Sequence, residues 1–166
     1  MSKKQLIASL LLIFGSMSVM AEPDAIKSGH LYIVDTSVPV EITFVNRFAD
    51  YFSTLYVASY DASGNMVDGW QKLFTSNTEL RSSVSKLFSG TELVFRLDVS
   101  KNGHSWYSNA KDADGFDHAW AQYDYWQENL AVVGFEDLVK GGDKDFNDMI
   151  FSVNNISRSP IPIPIP

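Results

Sequence analysis

Cysteine is absent from all 166 residues. The chain therefore has no disulfide, no thiolate nucleophile, no cysteine ligand for zinc and no attachment point for a lipoprotein anchor. Histidine is nearly absent too, with three residues. Only His118 lies near the acidic residues, which leaves zinc poorly served. No Gly-x-Ser-x-Gly elbow and no His-Glu-x-x-His pair occurs. Long apolar runs are lacking after Leu6–Phe14, and that run falls short of the roughly 20 residues a membrane helix needs.

Lys3 and Lys4 precede this run, and the small residues Val19 and Ala21 follow it at the −3 and −1 positions of a cleavage site. Together they read as an export signal cut after Ala21. The expected organisation is a signal peptide at 1–21, one β-sandwich domain at 22–156 and a Pro-Ile-rich tail at 157–166. The tail contains SPIPIPIP, in which every second residue lacks an N–H, so an extended arm is expected. Taking Lys3 and Lys4 from the 13 basic residues leaves 11 against 20 acidic ones, a net charge of −9. That charge disfavours nucleic acid and anionic membranes as partners and favours cations.

Helical periodicity is weak and alternation is common. Val40, Ile42 and Phe44 share one face of a strand, as do Leu93, Phe95, Leu97 and Val99. Thr54–Tyr60 is a β-branched and aromatic run ending at Asp61-Ala62-Ser63-Gly64-Asn65. Ser100-Lys101-Asn102-Gly103 suits a hairpin turn into His104–Ser108. His118–Trp126, Asn129–Phe135 and Phe146–Val153 extend the set to roughly eight strands, and Thr78–Phe88 is the one segment where a short helix is expected. Many short strands between turn signals imply an all-β, antiparallel β-sandwich or jelly-roll-like single domain with metal-binding loops. The aromatic segment Trp120–Trp126 has rings on both faces; an ordinary half-buried sheet accounts for it, and a sugar-stacking surface is the alternative.

Charge is unevenly placed. Ten of the twenty acids fall between Asp112 and Asp148, against Lys140 and Lys144 alone. Glu136, Asp137, Asp143, Asp145 and Asp148 crowd around Gly141-Gly142, with Asn147 among them. Asp112, Asp114 and Asp117 surround Gly115. Carboxylates so close repel one another, and a hard cation with six to eight oxygen ligands offsets that repulsion. Calcium suits the pattern better than Mg²⁺, which keeps several waters and needs few carboxylates. The segment from Asp143 is not an EF-hand, because position 6 is Asp148 instead of Gly and position 12 is Asn154 instead of Glu. In an extended segment Asp143, Asp145 and Asn147 would point one way and Asp148 the other, with the glycine pair letting Glu136 or Asp137 fold back toward them. The competing account is a set of Asp and Asn side chains that cap backbone N–H groups.

GFEDLVKGGDKDFNDMIFSV, preceded by DADGFDHAW and GTELVFRLDVSKNGHSWYS, resembles the bacterial domain of unknown function 4114 family over about Ser89–Val153. The resemblance implies a secreted β-sandwich with Ca²⁺ sites, working in a matrix or at the cell surface, often as a module of adhesins. Carried over residue by residue, it implies Asp114, Asp117, Glu136, Asp137, Asp143, Asp145 and Asp148 as metal ligands, with Asn147 beside them. Three functions are then open. The first is a non-catalytic calcium-binding module for adhesion, biofilm matrix, carbohydrate or surface-protein binding, kept in the periplasm or released outside the cell. The second is a glycosidase using paired carboxylates. The third is a structural subunit that docks through its tail or an edge strand. The first is the expected one.

Overall fold

The computed structural model describes residues 26–27, 30–109, 112–123, 127 and 129–159. The expected signal peptide, Tyr125 and Trp126 of the aromatic segment, and the Pro-Ile tail beyond Ser159 lie outside them. Among the described residues there are twelve strands and no α-helix: β1 Ile26–Lys27, β2 Leu31–Ile33, β3 Val40–Asn46, β4 Ser53–Tyr60, β5 Met66–Thr75, β6 Ser83–Lys86, β7 Glu92–Val99, β8 Ser105–Tyr107, β9 Ala119–Tyr123, β10 Leu130–Phe135, β11 Met149–Asn154 and β12 Ile156–Ser157. One sheet has the order β1-β9-β10-β11-β3-β6, and the other β12-β2-β7-β4-β5 with β8 also on β7. Every pairing is antiparallel. The expected all-β antiparallel sandwich is what the chain forms.

Alternation builds the core. On β7, Leu93, Phe95, Leu97 and Val99 are buried while Glu92, Arg96 and Asp98 are partly exposed. On β3, Val40, Ile42 and Phe44 face inward, as read from the sequence. Phe44, Phe74, Phe95, Phe135 and Phe151 are wholly enclosed between the sheets. Phe95 and Phe151 meet with ring centroids 4.7 Å apart, and Phe44 and Phe74 at 5.6 Å. Burying each such ring contributes about 1.5–3 kcal/mol. Tyr123 also turns toward the core, and its hydroxyl donates to the Ser157 carbonyl oxygen at 2.9 Å.

Two expectations give way. Thr78–Phe88 forms no helix: Arg81 has φ +69°, and β6 pairs Ile42 with Val84 and Val40 with Lys86. The run Ser82–Ser85 has poor helix propensity, and an open edge of β3 takes it up instead. The last long strand begins at Met149 and not at Phe146, because Lys144 and Phe146 have φ of +58° and +50°. The sequence reading also passed over β5, at ten residues the longest strand described. Its register against β4 shifts at three places, so alternation along it is broken.

Register gathers the chemistry at one end. Ser53 pairs with Val99, Asp98 with Ser105, Phe135 with both Ala119 and Met149, and Asn46 with Ile150. Residues 47–52, 100–104, 112–118 and 136–148 therefore lie at the same end of the sandwich.

Candidate metal centre

The loop between β10 and β11 coils tightly. Lys140, Gly141, Gly142, Lys144 and Phe146 all have positive φ, with a 3₁₀ turn at Val139–Gly141. Two glycines are fixed by close approach. A Cβ at Gly134 would lie 2.1 Å from the Phe146 carbonyl oxygen, and one at Gly141 would strike the Phe116 ring. Coiling brings Glu136, Asp143 and Asp145 together, with one carboxylate oxygen of each within 4.8 Å of the others. Glu136 and Asp145 are buried, while Asp143 is exposed and opens the group to solvent.

Glu136 is wholly enclosed. Its Oε1 accepts the Phe146 N–H at 2.6 Å, but its Oε2 has no hydrogen-bond partner. Burial pushes its carboxyl up to about 8; the Phe146 N–H opposes the shift, and the carboxylates of Asp148, Asp145 and Asp143 add to it. Asp145 Oδ2 accepts from Asn147 Nδ2 at 2.6 Å, so Asn147 steadies a member of the group. Asp137 and Asp148 form a separate pair. Asp148 Oδ2 accepts the Asp137 N–H at 2.8 Å, while Asp137 Oδ2 is buried without a hydrogen-bond partner. Burial raises both pKa values, and their mutual repulsion adds to Asp137's rise.

The first acidic loop behaves differently. Asp114 Oδ1 accepts the Phe116 N–H at 3.0 Å, and Oδ2 accepts the Lys140 N–H at 2.6 Å and His118 Nε2 at 2.9 Å. Burial works against its ionisation, but these donors hold its carboxyl down at about 2. His118 is fully buried, stacks on Trp106 at 3.6 Å between centroids, and donates from Nδ1 to the Glu136 carbonyl oxygen at 3.0 Å. Trp106 Nε1 donates to the Asp137 carbonyl oxygen at 3.1 Å. Asp114, His118 and Trp106 thus hold the backbone of the second loop in place. Asp117 stays in the first loop with one buried oxygen, Oδ1, lacking a partner. Asp112 also leaves Oδ2 unmet, and burial lifts its carboxyl to about 6.

Of the eight residues singled out from the sequence, the fold thus assembles Glu136, Asp143 and Asp145 into one group that could hold a metal ion. Asp137 and Asp148 sit beside it, Asn147 supports it, and Asp114 and Asp117 remain apart. The sequence reading missed Trp106 and Phe116. Trp106 carried a faint signal, since it pairs with the inward Leu97 across the hairpin.

A family model described as Domain of unknown function (DUF4114) matches residues 66–155, which is 90 of the 166 residues. The chain belongs to that family. No curated protein and no solved structure matches it. The DUF4114 match runs from β5 through β11 and holds both acidic loops. β3 and β4 precede it, yet β3 lies between β11 and β6, and β4 between β7 and β5. The core of this DUF4114 protein therefore includes residues before the matched region.

Proposed function

We propose that this chain is an exported, non-catalytic calcium-binding module that works at a cell surface or in an extracellular matrix. The observation that carries the reading is the group Glu136, Asp143 and Asp145, with Glu136 Oε2 buried and unpartnered. An all-oxygen donor set favours a hard cation, and Ca²⁺ takes carboxylates more readily than Mg²⁺ does. His118, the one nearby nitrogen donor, is occupied at both ring nitrogens. Binding would replace mutual repulsion with attraction and stiffen the loop that ends the sandwich. The stiffened end would then present a surface to a carbohydrate or a surface protein. Extracellular calcium modules bind with dissociation constants of about 10⁻⁴ to 10⁻³ M, so occupancy would follow calcium outside the cell.

Thermal unfolding of the mature chain tests this, in EGTA, in millimolar Ca²⁺ and in millimolar Mg²⁺. A gain of several degrees specific to calcium is expected. Identical melts would reduce the cluster to turns capped by their own side chains.

One observation favours a glycosidase: Glu136 carries the raised carboxyl that a general acid needs. However, Glu136 has no exposed surface with which to reach a leaving group. Turnover of a chromogenic glycoside, lost in Glu136→Gln, would reinstate that reading.

A further inference from the structure

Residues 160–166 lie outside the described residues, but their covalent chemistry fixes which strand edge they can complete. In an extended segment, alternate residues send both N–H and C=O to one edge, and the residues between them send theirs to the other. The order Pro160-Ile161-Pro162-Ile163-Pro164-Ile165-Pro166 therefore has one edge with every isoleucine N–H and another with proline nitrogens alone. The first edge has all the donors a ladder needs. The second has none, which confines such a segment to the outermost place in a sheet. A proline after each isoleucine also biases that isoleucine to extended backbone, so pairing costs little conformational freedom.

The fold offers an edge to match. β5 is ten residues long, stands last in its sheet and pairs with β4 alone. Apolar side chains are exposed along it: Met66 and Val67 on the strand, and Leu87 next to Lys86, whose Nζ donates to Gln71 of β5 at 2.8 Å. An added strand would bring three isoleucine side chains, all on one face, against that flank. Reach decides whose β5 it is. β12 lies at the opposite end of the same sheet, four strand spacings from β5, or about 19 Å. The chain bends after β12, where Ser157 Oγ donates to the Ser159 carbonyl oxygen at 2.7 Å. From Ser159, at about 3.3 Å per residue, Ile161 and Ile163 fall short of their own β5 and only Ile165 arrives.

We propose that residues 160–166 of one copy pair, as an added strand, with β5 of a second copy. The partner is thus another molecule of this chain, and the contact owes nothing to the acidic loops or to calcium. It joins the β12 side of one copy to the β5 side of the next. Such a contact is heterologous and builds rings or open filaments. The proline edge of the added strand faces outward and stops the sheet from growing further at that point.

The test is sedimentation of the mature chain at concentrations up to millimolar, in EGTA so that calcium plays no part. Assembly that rises with concentration is expected, and its loss on deletion of residues 160–166. A peptide of sequence SPIPIPIP should dissolve the assemblies. The same peptide N-methylated at Ile161, Ile163 and Ile165 keeps its side chains, loses three donors and should compete about 10-fold less well or worse. Because the chain has no cysteine, single replacements map the contact. Ile163→Cys mixed with Val67→Cys or Lys72→Cys should give a disulfide-linked pair; mixed with Val139→Cys, exposed in the 136–148 loop, it should not. A mature chain that stays monomeric throughout overturns the proposal, as does assembly that survives the deletion. Equal competition by the N-methylated peptide overturns the ladder, and linkage to Val139→Cys instead of β5 overturns the site. None of these outcomes touches the calcium-dependent melt, which stands or fails separately.

Discussion

Asp114 of the first acidic loop and Glu136 of the second have opposite electrostatics, although Asp112, also in the first loop, is raised by burial to about 6. In the first, Asp114 receives hydrogen bonds from two backbone N–H groups and a histidine, and its carboxyl is held at about 2. In the second, Glu136 receives one donor, keeps one oxygen unmet and is pushed up to about 8. The difference lies in where donors are. Asp114 sits beside a turn whose N–H groups aim at it, while Glu136 enters the interior directly from β10. A carboxylate supplied with donors is a clamp; one denied them is a vessel for positive charge. Composition alone does not separate the two.

The strongest way to break this contrast is to remove what joins the loops. Trp106 is 2% exposed, stacks on His118 and bonds the Asp137 carbonyl. Trp106→Ala should cost about 3–5 kcal/mol in denaturant unfolding. Any calcium gain should shrink with it, because the backbone of the second loop loses its backing. A full calcium response in that variant would show that the second loop orders itself unaided.

A smaller effect separates clamp from vessel. Asp114→Asn removes an ionised acceptor that serves three donors and should cost about 1–3 kcal/mol without metal. Its calcium increment should survive. Glu136→Gln should do the reverse, abolishing the increment while leaving the metal-free protein as stable or more so at about pH 8. If both variants keep the increment, Glu136 is not a ligand.

The smallest effect sharpens the comparison through pH. Between the ordinary 4.5 and about 8, the folded chain keeps a proton on Glu136 that the unfolded chain has lost. Metal-free stability should therefore fall as pH rises through that window. Asp114 acts in the opposite sense: its contribution is present above its ordinary 3.8 and disappears as pH falls toward about 2. Melting in EGTA should thus peak near pH 4 to 5, and the calcium increment should grow from about pH 5 to about pH 8. A calcium increment that is flat with pH would mean that no protonated carboxyl gives way to the ion.

Much of this was legible beforehand, for physical reasons. β3 and β7 announce themselves because one face is fully buried and period-2 alternation must follow. β5 did not, because its register shifts interrupt the period and its exposed edge position relaxes the demand for apolar residues. β6 was misjudged because pairing to β3 is a long-range decision that local propensity does not record. The acidic cluster was visible as charge density, but its division was not. Which carboxylates converge depends on left-handed backbone at Lys140, Lys144 and Phe146, residue types that do not advertise it. The role of Asp114 depends on Lys140, 26 residues away, whose N–H happens to land on it.

The unequal outer strands carry a consequence for how the molecule meets its neighbours. β1 and β12 are two residues long and β6 is four, so each offers a newcomer few backbone groups to zip onto. β5, at ten residues, presents the one long open selvedge among the described strands, and its irregular register and exposed Lys72 blunt it against indiscriminate growth. Among the described strands, a guest strand finds a long free edge only at β5, at the end of the β12-β2-β7-β4-β5 sheet.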